Sequence, residues 1–222
     1  MKKLLAISLV AGSLAFLAPQ AGAAVTYGLK GGVNFANLSV VSTAPDVPDF
    51  KNETGMVQGI FVNFKLGPVS IQPELLYSRR GASWDEYADV DVTVTGRILL
   101  DYVEMPILVK YSFLSGPVKP FLFAGPSFSS LLEGWNRLDV EYVAETEPDI
   151  AQMVEMEDSL KKTELAGVFG AGIDFKVLKL RISLEGRYHL GLTNFATAEL
   201  TADTGTTSVK NKGFSVLVGI GF

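Results

Sequence analysis

The chain has 222 residues, enough for one ordinary domain, and its 24 acidic and 19 basic residues give a formal net charge of −5. This charge disfavours nucleic acid as a partner, because phosphate binding requires a basic patch. There is no cysteine, which excludes a disulfide framework, a cysteine metal site and a thiol nucleophile.

Residues 1–23 are typical of a cleaved secretory signal peptide. Lys2 and Lys3 precede an apolar stretch, and Ala21-Gly22-Ala23 offers a small-residue cleavage site. A retained transmembrane anchor is the alternative, but the apolar run is short for a membrane-spanning helix. We therefore expect an exported bacterial protein in which residues 24–222 form one mature domain.

Eight segments of alternating apolar and non-apolar residues follow, and each is typical of a β-strand with one apolar face. In the fifth segment Pro126 interrupts the alternation, so we expect a bulge or a bend there. The segments lie at about 25–36, 56–66, 69–83, 98–113, 119–132, 164–177, 180–192 and 213–222.

The connections between these segments alternate in length, so that one end of the molecule carries short turns and the other carries long loops. The long loops lie at about 37–55, 84–97, 133–163 and 196–212. An even strand number with this asymmetry is typical of outer-membrane barrels. The sequence therefore predicts an all-β fold, an eight-stranded antiparallel up-and-down transmembrane β-barrel. Its last strand must pair with its first, because lipid cannot satisfy an open sheet edge.

The apolar face could point inward, as in a soluble lipocalin-like barrel, or outward to lipid. Three features favour the outward orientation. Glycines concentrate on the non-apolar face, where a narrow barrel needs small residues. Aromatic residues gather near the strand ends, as in the girdles of membrane barrels. Charges of both signs share the glycine-rich face, and solvated surface charge is the alternative explanation for them.

We predict that these inward charges form an ion-pair network that plugs the lumen. Eight strands leave little more than room for side chains, so a permanent channel is not favoured. A gated narrow pore is the alternative. The predicted network consists of Lys30, Glu74, Glu104, Asp174, Arg181, Glu185 and Arg187.

Five stretches resemble a known family: KGGVNFANLS (30–39), QPELLYSRRG (72–81), YVEMPILVKY (102–111), PFLFAGPSFSSLL (120–132) and GFSVLVGIGF (213–222). Over nearly the whole mature chain they resemble the PorT-like, or small porin-like, outer-membrane β-barrel proteins of Bacteroidota. The resemblance implies the outer membrane of a Gram-negative cell as the location, with outer-membrane lipid and the barrel-assembly machinery as partners. Phe222 looks like the aromatic signal that this machinery reads. The family name also suggests an accessory of a secretion and gliding machine.

Catalytic and metal chemistry are not indicated. His189 is the only histidine, and as a general base it would need a serine and a carboxylate within reach of lipid. Alternation instead places it inside the barrel, so we expect a hydrogen-bonded interior histidine and no enzyme activity. One histidine without cysteine does not favour a zinc site. The acidic loop 133–163 offers oxygen atoms for calcium but lacks EF-hand spacing, so we expect no metal and no cofactor.

The long loops are the remaining candidates for function. Apolar residues after Pro148 predict a short amphipathic helix in loop 133–163. In loop 84–97, the stretch ADVDVTVTG extends a hairpin above the membrane; pairing within the hairpin is favoured over pairing with a partner strand. We expect a structural or interaction role, with loops 84–97 and 133–163 as a binding surface for an extracellular or periplasmic protein. A small passive channel, a secretion accessory and a lipid-modifying enzyme are the alternatives.

Overall fold

The computed structural model describes residues 24–42, 51–88, 92–114, 116–142, 150–155, 162–194 and 206–222. The predicted signal peptide lies outside these ranges. No helix long and apolar enough to cross a bilayer occurs in the part of the chain that is described. The strands in these ranges are β1 (Ala24–Ser42), β2 (Lys51–Leu66), β3 (Val69–Ala88), β4 (Val92–Ser112), β5 (Val118–Tyr142), β6 (Ile150–Glu155), β7 (Thr163–Val177), β8 (Leu180–Gly191) and β9 (Thr206–Gly221).

Eight of these strands close into an antiparallel barrel in the order β1-β2-β3-β4-β5-β7-β8-β9, and β9 pairs with β1 as the sequence predicts. A path of paired residues that leaves β1 at Val25 and crosses every barrel strand returns to β1 at Phe35, ten positions further along. Such a stagger requires the strands to tilt against the barrel axis. The fold is therefore the predicted eight-stranded closed barrel.

Apolar side chains cover the outside of the barrel and charged side chains fill the inside. Phe169 and Val218 are each 49% exposed, whereas Glu185 and Arg187 are 1% and 3% exposed. This is the reverse of a water-soluble protein and confirms the predicted outward orientation of the apolar face. These outward-facing apolar side chains form a band around the barrel, which we call the apolar belt. On β3 the belt begins at Val69, next to the turn, and ends toward the loops at position 77. On β4 it begins at position 111 and ends toward the loops at position 103.

Two local predictions differ from the structure. Of the bulge or bend expected at Pro126, the bulge is absent, because the β4–β5 ladder omits the pair opposite this residue and resumes in the same register at Ala124. Proline lacks the N–H that such a pair needs, so the ladder is interrupted without being shifted. The register shift lies instead between Asp101 and Tyr102.

The second of these predictions, the amphipathic helix in loop 133–163, is wrong. Residues 150–155 form the strand β6, which pairs with residues 135–140 of the extended β5. The free edge of β5 offers backbone partners that a short isolated helix would lack, and short helices are marginal without packing. The predicted hairpin extension is confirmed, since β3 and β4 remain paired up to Ala88 and Thr93.

Candidate functional site

Four buried charges from three strands form the central cluster of the lumen. Lys30 Nζ donates hydrogen bonds to Glu74 Oε1 at 2.6 Å and to Glu185 Oε1 at 2.8 Å. Arg187 Nη1 donates to Glu74 Oε2 at 2.9 Å, and its Nη2 donates to Glu185. Every side chain is at most 3% exposed. The two cations and two carboxylates balance, so the cluster is electrically neutral.

A second cluster lies nearer the loop end, around Arg80 of β3. Arg80 Nη2 lies 2.5 Å from Glu104 Oε1, and its Nη1 lies 3.6 Å from Glu164 Oε2. Asn211 Nδ2 donates to Glu164 Oε2 at 2.7 Å. His189 Nε2 lies 2.7 Å from Arg80 Nη2 and 3.9 Å from Glu104 Oε2. The histidine is therefore buried in the interior and hydrogen-bonded, as the sequence suggested, and its partner is the ion pair of Arg80 and Glu104.

A third cluster, which consists of a single ion pair, lies nearer the turn end of the barrel. Lys110 Nζ lies 3.9 Å from Asp174 Oδ1 and 3.7 Å from the centroid of the Phe121 ring. Arg181, also near the turns, is only half-buried. Among the residues that the structure describes, no ion pair joins Arg181 to a carboxylate of the three clusters.

The structure thus brings together four of the seven residues predicted for the network and places Glu104 and Asp174 in separate pairs. Sequence reasoning left Arg80, Lys110 and Glu164 out of the network. All three follow the same alternation as their predicted neighbours, since Arg80 is an even number of positions from Glu74. The period-two pattern could therefore have identified them.

Apolar side chains fill the lumen between the charged clusters. Val57, Leu76 and Leu217 form one buried group. A second group is formed by Leu108, Phe121, Phe123 and Val168. Gly170 makes room for this second group, because a Cβ atom there would lie 2.6 Å from the Phe123 ring. The interior is therefore occupied by side chains at several levels.

Known catalytic and metal constellations are not evident in this interior. The described ranges contain no group of three histidine, cysteine, aspartate or glutamate side chains placed to hold a metal ion. His189 lies against a guanidinium and a carboxylate, and both are inside the wall. A general base that acts on lipid would have to reach the outer surface.

A bidentate ion pair lies on the outer wall, beyond the loop-side limit of the apolar belt. Arg79 Nε and Nη2 donate to Asp101 Oδ1 and Oδ2 at 2.7 and 2.9 Å. Burial alone would raise the pKa of Asp101, but the hydrogen bonds from Arg79 and Tyr77 and the charge of Arg79 together outweigh it and lower the pKa below its ordinary value. The pair therefore favours the ionised carboxylate at neutral pH.

A sheet of four strands continues past the apolar belt at the loop end. β3 and β4 pair up to Ala88 and Thr93, β4 and β5 pair up to Val92 and Tyr142, and β6 adds to the far side of β5. Within the described residues β6 pairs with β5 alone, so it forms the edge of this projecting sheet. An unpaired edge presents backbone donors and acceptors to other chains.

A family model described as outer membrane protein beta-barrel domain matches residues 18–197. Among solved structures, the chain is similar to surface protein A of Neisseria, with 17% identity, a TM-score of 0.46 and coverage of 90% of this chain and 99% of that one. The chain is also similar to Ail of Yersinia pestis, solved with the heparin analogue sucrose octasulfate, with 12% identity, a TM-score of 0.41 and coverage of 89% of this chain and 99% of that one. The similarity to the N-terminal β-barrel domain of OprF from Pseudomonas aeruginosa has 12% identity, a TM-score of 0.29 and coverage of 87% of this chain and 97% of that one. No curated protein sequence matches the chain.

Proposed function

The chain belongs to the outer membrane protein beta-barrel domain family, and from this premise we propose that it is a plugged barrel with a structural or interaction role, which presents its loop end as a binding surface. Its apolar outer belt anchors it in outer-membrane lipid. Its partner is an extracellular protein that contacts the projecting sheet. The protein is not an enzyme in this proposal, and His189 serves the lumen ion pairs.

The filled lumen supports the plug. The central cluster spans the interior from β1 to β3 and β8, and Val57, Leu76 and Leu217 pack as an apolar group in the same interior. An eight-stranded barrel is just wide enough for its side chains to fill it. Movement of a solute would require both the ionic and the apolar contacts to open.

The projecting sheet is the observation that carries the interaction role. On β3 the strand continues from Tyr77, at the limit of the belt, to Ala88. At about 3.3 Å per residue, this extension is roughly 35 Å along the strand. This extension lies beyond the apolar belt, so it is not needed to cross the membrane. β6 gives the projecting sheet an edge to which another strand can add.

Site-specific photo-crosslinking in intact cells tests the interaction role. A crosslinking residue at Gln152 of β6 should trap a discrete protein adduct, whereas the same residue at the buried lumen position Gln72 should trap none. Replacement of the segment 138–161 by a short turn should abolish partner capture at a second position in β3. Partner capture that survives this replacement would contradict the role of the β6 edge.

A narrow channel is the second candidate, and unpartnered polar atoms in the lumen favour it. Asn63 Oδ1, Ser127 Oγ and Ser129 Oγ are buried without a hydrogen-bond partner in the protein. Buried polar groups of this kind are normally satisfied by water. Steady single-channel current from the purified protein in planar bilayers would favour the channel and contradict the plug.

Two finer proposals follow from the PorT-like resemblance and from the likeness of Phe222 to the terminal aromatic of outer-membrane proteins. The first is an accessory role in a secretion machine, for which a deletion strain should lose secreted proteins. The second is recognition of Phe222 by the barrel-assembly machinery. Phe222 donates its backbone N–H to the Tyr27 carbonyl at 2.8 Å, and the two rings lie 6.4 Å apart. Phe222→Ala should therefore reduce the assembled protein in cells far more than it reduces refolding yield in detergent.

A further inference from the structure

Three basic side chains share the inner face of the barrel at its turn end. Lys65 of β2, Lys119 of β5 and Arg181 of β8 are half-buried. Each lies two positions from a buried residue on its own strand and therefore points to the same side of the wall. These inward-facing neighbours are Asn63, Phe121 and Ser183.

The three cations surround the mouth of the barrel at nearly even spacing. Three steps around the barrel separate β2 from β5, two separate β5 from β8, and three return from β8 to β2. In a barrel of eight strands the interior is about one layer of side chains wide, so long basic side chains from these strands converge on the axis. We refer to Lys65, Lys119 and Arg181 as the basic mouth.

The basic mouth lacks the carboxylates that neutralise the deeper cations. Lys65 interacts electrostatically with Lys119 and Arg181, and Asp174 is the acidic group that acts on it. Asp174 already lies 3.9 Å from Lys110. Throughout the ranges that the structure describes, no ion pair joins a residue of the basic mouth to a carboxylate, whereas Lys30, Arg80 and Arg187 each have one.

Unpaired like charges that converge at a wet opening repel one another, and an anion between them would relieve that repulsion. A guanidinium and two ammonium groups can together donate to several oxygens of one small group. A doubly charged oxyanion neutralises more of the positive charge of the basic mouth than a single carboxylate does. The exposed Lys176, which is the cross-strand partner of Arg181, would add to the attraction of anions.

We propose that the basic mouth is a binding site for a compact multivalent oxyanion of the phosphate type, which enters from the turn side of the barrel. The ligand is either a soluble phosphate compound or the phosphate of a lipid headgroup in the adjacent leaflet. This inference is independent of the proposed binding surface at the loop end.

Calorimetric titration with pyrophosphate tests the site. The full-length protein is refolded in a phosphate-free glucoside detergent at low salt. The triple variant K65Q/K119Q/R181Q should bind pyrophosphate at least about tenfold more weakly than wild type, because several charge-assisted hydrogen bonds are lost. The control K179Q removes one exposed lysine of the β7–β8 turn at the same end and should bind within about twofold of wild type. Failure of the wild type to bind, or equal loss in both variants, would overturn the proposal.

Three further measurements report folding of the variants, confirm binding and separate the ligand sources. Heat-modifiable gel migration reports whether each variant folds; if the triple variant does not, R181Q alone should still weaken pyrophosphate binding. Pyrophosphate should also raise the urea midpoint of the wild type but not that of R181Q. In nanodiscs, competition from a phospholipid but not from a glycolipid assigns the site to headgroup phosphate. Undiminished pyrophosphate binding in both lipids assigns it to a soluble compound.

Discussion

Glu74→Gln is the sharpest test of the central cluster, because this substitution removes one charge and preserves the side-chain shape. Glu74 accepts hydrogen bonds from Lys30 at 2.6 Å, from Arg187 at 2.9 Å and from Gln72 Nε2 at 2.6 Å. In the variant, two buried cations share the single carboxylate of Glu185. The local charge changes from zero to plus one, in an interior from which the residues cannot reach water.

The expected cost follows from this uncompensated charge. Removal of one partner from a buried ion pair costs about 3–5 kcal/mol, which corresponds to a change of roughly a thousandfold in the unfolding equilibrium at 4 kcal/mol. Urea unfolding in phosphatidylcholine vesicles, followed by the fluorescence of Trp84 and Trp135, measures it. Glu53→Gln makes the same chemical change at a partly exposed position and should cost less than about 0.5 kcal/mol.

A second substitution distinguishes charge from packing. Lys30→Met in the Glu74→Gln background leaves Arg187 and Glu185 as a balanced pair, so most of the lost stability should return. A Glu74→Gln variant within 1 kcal/mol of wild type would refute the reasoning, since it would mean that water or a rearranged side chain already compensates Lys30 and Arg187.

Three further outcomes follow from the same structure. Val218→Arg should cost about 2–4 kcal/mol in vesicles because it faces mid-bilayer, whereas Leu66→Arg next to a turn should cost about 0–1 kcal/mol; equal costs would contradict the belt. Gly32→Val should abolish the heat-modifiable folded band because a Cβ there overlaps the backbone of β9, while Gly167→Val, where a Cβ meets open space, should fold normally. Asp101 contributes stability above its ordinary pKa of 3.8, and this contribution is lost as the pH falls through the lowered folded value. Asp101→Asn should therefore cost about 1 kcal/mol at pH 7 and remove that acid-dependent component of the unfolding midpoint.

Strand existence and orientation were predictable because they depend on local alternation, which a sequence displays directly. The apolar positions of β1 and β9 that alternation assigned to the outside are outside, and Arg187 is inside. The partners of each charge were less predictable. Alternation gives the face of a residue but not its height in the barrel, and height depends on the ten-position stagger that only closure fixes.

Lys30 illustrates what the sequence does not display. In the barrel its paired neighbours on the two adjacent strands are Gly59 and Gly219, so no side chain at either paired position obstructs its path to Glu74 and Glu185. Sequence separations of 44 and 155 residues hide these contacts. β6 was missed for a similar reason, since its partner edge exists only once β5 has extended beyond the membrane.

The charged lumen also accounts for the specificity of the fold. Buried ion pairs contribute little net stability compared with a well-packed apolar interior, so the charges of the central cluster need another physical role. A slip of one residue in the register of β1, β3 or β8 would turn Lys30, Glu74 or Arg187, respectively, toward lipid. At mid-bilayer a misplaced arginine or lysine costs about 2–4 kcal/mol each. The charges therefore act mainly against incorrect insertion.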